Sequence, residues 1–171
     1  EEATRAVIDE NGWLHTGDMG YVDKDGFLYV LGRFKSLLIG NDGEKYSPEG
    51  IEDAILIHSP HIQQVMLHNN QNPYTVGMIV PDTDAINREL KQRGLEKGSD
   101  TANAEALKLI QNDINQFKRG GKHEGMFPER WLPATIAILP EAFTADNKML
   151  NAMLKMVRGK INEHYSKELD F

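Results

Sequence analysis

Three short segments follow one another in the first third of the chain: Gly12-Trp-Leu-His-Thr-Gly-Asp18, Leu31-Gly-Arg-Phe-Lys35 and Gly43-Glu-Lys-Tyr-Ser-Pro-Glu-Gly-Ile-Glu52. In the third segment, Ser47-Pro48-Glu49 predicts a helix start. Ser would be the cap, Pro would occupy the first turn, and the acid would lie beside the positive end of the helix dipole. Apolar residues then recur at helical spacing until Ser59-Pro60 ends the helix. Glu52, on this helix, is expected to face solvent.

The residues before this helix predict short strands and turns. Tyr21-Val22 and Phe27-Leu-Tyr-Val-Leu31 flank the turn sequence Asp23-Lys-Asp-Gly26. Because Asp-Gly supplies the positive φ that a hairpin turn requires, residues 21–31 are predicted to form a β-hairpin. A second apolar run, Leu37-Leu-Ile39, meets another turn at Gly40-Asn-Asp-Gly43, where glycine at positive φ is again expected.

Downstream of residue 59 the hydrophobic pattern alternates between strands and helices. Core strands are predicted at 62–67, 74–80 and 134–139, and helices at 82–93 and 101–117. A last helix is expected to carry one apolar face, formed by Leu150, Met153, Leu154, Val157 and Ile161. The predicted fold class is therefore α+β: a small domain with a short β-hairpin and a three-stranded sheet flanked by helices.

The overall composition excludes several classes of function. The net charge of −7 over 171 residues argues against a nucleic-acid partner. The absence of cysteine excludes disulfides and thiolate chemistry, and fits a reducing compartment. No apolar run approaches the roughly 18 residues that a transmembrane helix requires. Because the chain starts with neither an initiator methionine nor an apolar signal core, we expect it to be a piece of a longer protein.

No metal site is predicted in the chain. His58 and His61 are separated by Ser59 and Pro60, with no cysteine nearby and no helix to align the two rings. Gly120-Gly121-Lys122 lacks the strand, loop and helix context of a phosphate-binding loop, so it is interpreted as a connecting loop.

The three opening segments resemble the downstream half of the adenylate-forming superfamily, which includes acyl-CoA synthetases, firefly-type luciferases and peptide-synthetase adenylation domains. The residues around them look most like a bacterial long-chain fatty acid–CoA ligase. This resemblance implies that residues 1–32 are the trailing edge of a large N-terminal adenylation domain. Residues 33–171 would then form a mobile C-terminal domain, with a hinge near Lys35.

The resemblance also changes how two charged residues are interpreted. By spacing alone, Asp18 is a turn aspartate and Arg33 a surface arginine paired with a neighbouring acid. In the superfamily, the matching aspartate accepts hydrogen bonds from both ribose hydroxyls of ATP, which suits an acceptor-only carboxylate. The matching arginine approaches the ribose and phosphate with its planar fork of donors.

Two further positions are assigned by the same resemblance. The turn that contains Gly40 and Gly43 would swing into the active site for the second half-reaction, where Gly43 lets the pantetheine arm of CoA pass close to the backbone. Near the C-terminus, the ligases read roughly Phe-Thr-x-x-Asn-Gly-x-x-Thr-x-Thr-x-Lys. Aligning Phe143, Thr144 and Asn147 with this pattern puts the catalytic lysine at Lys155. Lys148 stands where the pattern has Gly and is the rival candidate.

The resemblance implies an acid–thiol ligase that forms acyl-AMP from a long-chain fatty acid and ATP, then transfers the acyl group to CoA. Its implied partners are the fatty acid, ATP, CoA and its own N-terminal domain, which would also hold the Mg²⁺ ligands. The fragment alone is expected to be inactive. The implied location is cytoplasmic, with a peripheral position at the inner membrane surface left open. Two alternatives remain: an adenylation domain that passes the acyl group to a carrier protein, and a non-catalytic interaction domain.

Overall fold

The computed structural model describes residues 2–169, so the outer bounds of the predicted segments 1–32 and 33–171 lie outside the described residues. The α-helices are α1 (Glu2–Arg5), α2 (Glu49–His58), α3 (Thr83–Gln92), α4 (Asp100–Asn115), α5 (Arg158–His164) and α6 (Ser166–Leu169). The strands are β1 (Asp18–Val22), β2 (Leu28–Arg33), β3 (Leu38–Gly40), β4 (Lys45–Tyr46), β5 (Ile62–His68), β6 (Asn70–Asn72), β7 (Thr75–Pro81) and β8 (Pro133–Ile138). Within this range, no helix combines the length and the apolar character needed to cross a membrane.

The predicted hairpin is confirmed, and it extends further than the sequence suggested. Strands β1 and β2 pair antiparallel, with Asp18 directly opposite Arg33. At the turn, the carboxylate of Asp23 accepts the backbone N–H groups of Asp25 and Phe27, both at 2.9 Å, and Gly26 adopts φ 88°. Strand β2 runs across the predicted boundary at residues 32 and 33, and the division into two domains stays a prediction.

The core of the fold is the three-stranded sheet β5-β7-β8, which confirms the predicted α+β class. Strands β5 and β7 are antiparallel, whereas β7 and β8 are parallel. Because strand side chains alternate between faces, the sheet serves two apolar clusters. Val65, Leu67 and Ile79 pack with α2, α3 and α4, while Met66 and Met78 pack with the C-terminal segment.

A second small sheet, β4-β3-β6, was not predicted. Strand β6, Asn70–Asn72, lies in the connection between the predicted strands 62–67 and 74–80, and it pairs parallel with β3. The three side chains are amides with no apolar alternation, so the hydrophobic pattern carried no signal for this strand.

The predicted last helix is wrong over its first half. Residues 150–157 form a hairpin-like loop, closed by a bridge between Leu150 and Met156, and α5 begins at Arg158. Met153 and Leu154, expected on the apolar face of a helix, are 71% and 72% exposed. The hydrophobic pattern does not account for the side chain of Asn151. This side chain accepts two backbone N–H groups inside the loop and stabilises a turn in place of a helix.

The start of α2 also differs in detail from the prediction. Pro48 is the N-cap residue, and it makes no side-chain capping bond. The hydroxyl of Ser47 donates to Glu49 Oε2 at 2.8 Å instead of accepting a backbone N–H of the first turn. The helix ends at His58 with Ser59 as the C-cap residue, as predicted.

Candidate functional site

A cleft of about 1000 Å³ lies between the β1-β2 hairpin, helix α2 and the C-terminal loop. Asp18, Arg33 and Lys155, three of the residues predicted to act on the nucleotide, all line this cleft. Asp18 and Lys155 are 137 positions apart in the sequence, so the fold alone brings them to one cavity. A carboxylate, a guanidinium and an ammonium around one open space can bind a polar ligand that carries both hydroxyl and anionic groups.

The paired strands of the hairpin hold Asp18 and Arg33 together. Arg33 Nε donates to Asp18 Oδ1 at 3.0 Å, and Arg33 Nη2 donates to the Thr16 carbonyl at 3.3 Å. Both side chains remain substantially exposed, at 46% for Asp18 and 61% for Arg33. The pair is therefore preorganised yet open to a ligand, and the surface position limits what the ion pair itself adds to stability.

The close approach of the start of α2 explains why glycine stands at position 32, beside Arg33. Gly32 has φ 127°, and a Cβ placed there would lie 2.5 Å from Ser47 Oγ and 2.9 Å from Glu49 Oε2. A larger residue would therefore strain the backbone and push the hairpin away from the start of α2. The glycine allows the strand that carries Arg33 to approach the helix.

Lys155 lies in the C-terminal loop, next to the bridge between Leu150 and Met156 that closes it. Asn151 Oδ1 accepts the backbone N–H of Met153 at 2.9 Å and that of Lys155 at 3.0 Å, and Asn151 N donates to the Lys155 carbonyl at 2.9 Å. The last two of these bonds hold the Lys155 backbone, while its side chain stays exposed. The loop thus holds an accessible ammonium on a defined turn.

The base of the same loop is anchored to the sheet. Gln64 of β5 pairs with the backbone of Phe143, accepting its N–H at 2.7 Å and donating to its carbonyl at 3.0 Å. Asn147 accepts the N–H groups of Thr144 and Met149 and donates to the Ala142 carbonyl at 2.9 Å. Phe143 itself is buried in the core. The residues used to align the sequence with the family pattern are therefore structural anchors of the loop.

Lys148, the rival lysine, is not among the described residues that line the cleft. It is exposed and has φ 61°, in the left-handed region that favours glycine. Because the family pattern has Gly at this position, the backbone conformation accounts for that preference. Of the two lysines, therefore, Lys155 is the one that lines the cleft.

We expect Lys148→Gly to leave the free energy of unfolding unchanged or to raise it, whereas Lys148→Ile should lower it by about 1 kcal/mol. The reason is that a β-branched residue resists positive φ, while glycine does not. Chemical denaturation of the three proteins, with lysine, glycine and isoleucine at this position, measures the difference. Equal stability of the isoleucine and glycine variants would contradict the observed backbone conformation.

Glu52 does not face solvent, which corrects the sequence prediction. Its side chain is buried, accepts the backbone N–H of Leu67 at 2.7 Å, and forms two bonds with the guanidinium of Arg158, at 2.9 and 2.5 Å. Burial raises the pKa of Glu52, and the bonds from Arg158 and Leu67 oppose that shift. The prediction failed because the partner of this carboxylate, Arg158, lies 106 residues away and cannot be inferred from the local sequence of the helix.

The turn at residues 40–43, called the glycine turn below, is not among the described residues that line this cleft. Gly43 has φ 80° and donates its N–H to the Gly40 carbonyl at 3.0 Å, so the turn conformation requires glycine at position 43. The next residue, Glu44, accepts bonds from Arg130 at 2.5 and 2.6 Å and from the Trp131 indole at 2.9 Å. Arg130, together with Trp131, lowers the pKa of Glu44 to about 2. The turn is thus held independently of the C-terminal loop at residues 150–157, which carries Lys155 and is called the lysine loop below.

Lys35, the predicted hinge residue, lies in a single 3₁₀ turn, Phe34–Ser36, between the hairpin and β3. Its side chain is exposed, and it is not among the described residues that line the cleft. The turn is the connection between β2 and β3, but whether the backbone rotates at Lys35 stays a prediction.

His61 belongs to a buried polar cluster that the sequence did not reveal. Its Nε2 lies 2.9 Å from Glu89 Oε2 and its Nδ1 lies 3.0 Å from Asp113 Oδ2. Burial raises the pKa of Asp113, while the bond from His61 lowers the pKa of Glu89. The cluster joins the start of β5 to α3 and α4. Among residues 2–169, no group of three or more His, Asp or Glu side chains is arranged to hold a metal ion.

Comparison with known proteins identifies relatives over nearly the whole chain. The long-chain-fatty-acid–CoA ligase ACSBG1 of Homo sapiens is 29% identical over 189 residues, covering 99% of this chain and 25% of the relative. ACSBG2 of Gallus gallus is 40% identical over 111 residues, covering 65% of this chain and 14% of the relative. The chain therefore spans about a quarter of the length of the curated ligases that it matches end to end. No protein-family model matches the chain.

Solved structures share the fold. The adenylation domain of a carboxylate reductase from Mycobacterium chelonae has a TM-score of 0.79 and 25% identity, covering 98% of this chain and 24% of that chain. The O-succinylbenzoate coenzyme A synthetase of Bacillus subtilis, solved with AMP, has a TM-score of 0.53 and 24% identity, covering 92% of this chain and 26% of that chain. This chain is homologous to the long-chain fatty acid–CoA ligases and has the fold of the C-terminal domain of adenylate-forming enzymes.

Proposed function

We propose that the protein containing this chain is an ATP-dependent long-chain fatty acid–CoA ligase, and that this chain is its mobile C-terminal domain. The observation that carries the proposal is the shared cleft of Asp18, Arg33 and Lys155, in a chain homologous to such ligases over 99% of its length. In the first step, a carboxylate oxygen attacks the α-phosphorus of ATP, forming acyl-AMP and releasing pyrophosphate. In the second step, the CoA thiol attacks the acyl carbonyl and AMP leaves.

The cleft residues would act in the first step. Asp18 would accept the two ribose hydroxyls, and Arg33, held in place by Asp18, would contact the ribose and phosphate. The attack of a carboxylate on a phosphate brings two anions together. The ammonium of Lys155 would therefore stabilise the charge that spreads over the transition state. AMP bound in the structure of the Bacillus subtilis synthetase supports an adenylate ligand for this fold.

The glycine turn would act in the second step. After the domain rotates near Lys35, Gly40 and Gly43 would line the path of the CoA pantetheine arm. The Cβ position of Gly43 faces open space, so a narrow chain can pass close to the backbone there. Mg²⁺ would neutralise the triphosphate, and we propose that its ligands belong to the N-terminal adenylation domain.

We expect Asp18→Ala, in the full-length protein, to raise the Michaelis constant for ATP at least about tenfold in fatty-acid-dependent pyrophosphate exchange. The variant removes the acceptor for two hydroxyl donors, and hydrogen bonds to a charged group contribute about 1.5–3 kcal/mol each. The matched control is Asp23→Ala, which removes a hairpin-turn carboxylate outside the cleft and should leave the ATP kinetics unchanged.

Three results would contradict all or part of the proposal. If the wild-type protein shows no exchange with any long-chain acid, the ligase assignment fails. If Asp18→Ala and Asp23→Ala behave alike, Asp18 is a turn residue without a role at the nucleotide. If exchange is normal but the acyl group reaches a carrier protein and not CoA, the alternative adenylation-domain function is correct.

A further inference from the structure

The buried ion pair between Glu52 and Arg158 joins two parts of the domain that are far apart in sequence. Glu52 lies in the first turn of α2, and Arg158 is the first residue of α5. The side chains are 3% and 17% exposed, respectively, and the guanidinium makes two bonds to the carboxylate. A fork-to-fork geometry of this kind fixes direction as well as distance.

Arg158 lies three residues after Lys155, at the base of the lysine loop. The neighbouring Val157 donates its N–H to the Met149 carbonyl at 2.8 Å, which closes the base of that loop. At the other end of the pair, Glu52 also accepts the N–H of Leu67 in β5 at 2.7 Å. One carboxylate therefore ties helix α2, the sheet and the lysine loop to each other.

Stability alone does not explain a pair of this type. Burying two charges involves a desolvation penalty that can match their mutual attraction, so apolar replacements are often neutral or stabilising. Both side chains also line the cleft that holds Lys155. The pair is costly to bury, lies at the base of the loop and faces the same cavity as Lys155. A role in holding the loop in position explains these three features better than stability does.

We propose that Glu52 is a positioning residue for Lys155: it acts through Arg158 and holds the lysine loop where the ammonium reaches the nucleotide. The proposal deepens the proposed function and rests on it. It assigns Glu52 and Arg158 to the adenylation step alone. The glycine turn used for CoA has its own support, from Glu44 with Arg130 and Trp131, and does not depend on this pair.

The test compares Glu52→Gln, Arg158→Gln, Arg158→Lys and the double variant Glu52→Gln/Arg158→Gln in the full-length protein. We expect each glutamine variant to lower the rate constant of acyl-AMP formation about 10- to 100-fold, because a misplaced catalytic group has an effect of this size. The Michaelis constant for ATP and thioester formation from supplied acyl-AMP should stay within twofold of wild type. The double variant should be no slower than the slower single variant, since both act on one interaction.

Arg158→Lys keeps the charge but not the fork, so it should fold and retain an intermediate adenylation rate. The matched control is Asp113→Asn, which neutralises a buried carboxylate in the His61 cluster, away from the loop. It should lose stability and keep both half-reactions. Equal loss of both half-reactions in Glu52→Gln, or a wild-type rate in Arg158→Gln, would overturn the proposal. Absence of exchange in the wild-type protein would instead reject the proposed function.

Discussion

Lys155→Ala is expected to lower the rate of acyl-AMP formation by about 10²–10³-fold in the full-length protein, which is the usual effect of losing one preorganised donor at a transition state. Thioester formation from supplied acyl-AMP should remain near the wild-type rate, because the proposed second step uses the glycine turn instead of the lysine loop. The measurement is the rate of each half-reaction in separate assays, with the fold of the variant checked by circular dichroism.

Lys148→Ala is the matched control for this prediction. Both lysines are exposed and lie in the same C-terminal segment, but Lys155 lines the cleft and Lys148 is not among its lining residues. Lys148→Ala should therefore keep both half-reactions. If the adenylation defect follows Lys148 and not Lys155, the alignment of the loop with the family pattern is wrong.

Gly43→Leu is expected to have the opposite effect. A bulky side chain in the proposed path of the pantetheine arm should slow thioester formation by about 10²-fold, as a displaced reactant does, and leave pyrophosphate exchange unchanged. Positive φ complicates this variant, because Gly43 adopts φ 80° and other residues resist that conformation.

Gly98→Leu controls for the backbone strain at Gly43. Gly98 has φ 84°, and at Gly98, as at Gly43, a side-chain Cβ would have no atom within 4 Å. Gly98 lies in the connection between α3 and α4, away from the glycine turn. The two variants should lose similar stability, and only Gly43→Leu should lose thioester formation. A normal rate of acyl transfer to CoA by Gly43→Leu would show that the glycine turn has no role in the second step.

The hairpin and the central sheet could be predicted because their signals are local. Asp-Gly at residues 25–26 specifies a turn, and alternating or continuous apolar runs specify β5, β7 and β8. The hairpin register then puts Asp18 opposite Arg33, although the sequence alone gave no reason to extend the strands that far.

The lysine loop and the buried pair could not be predicted from local signals. Leu150, Met153 and Leu154 have helical spacing, yet the bonds accepted by Asn151 stabilise a turn with Leu154 at φ 58°. The burial of Glu52 depends on Arg158, and no periodicity relates two residues on elements so distant in the chain. Side-chain competition and long-range pairing are the two effects that hydrophobic patterns omit.

The most direct test of the account is the ratio of the adenylation rate to the thioesterification rate in Lys155→Ala and Gly43→Leu, measured on the same full-length preparations. Under that account, the two steps use two separate faces of this domain. We therefore expect the ratio to fall about 10²-fold or more in Lys155→Ala and to rise about 10²-fold in Gly43→Leu. A ratio that stays at the wild-type value in both variants, with both steps reduced together, would contradict it.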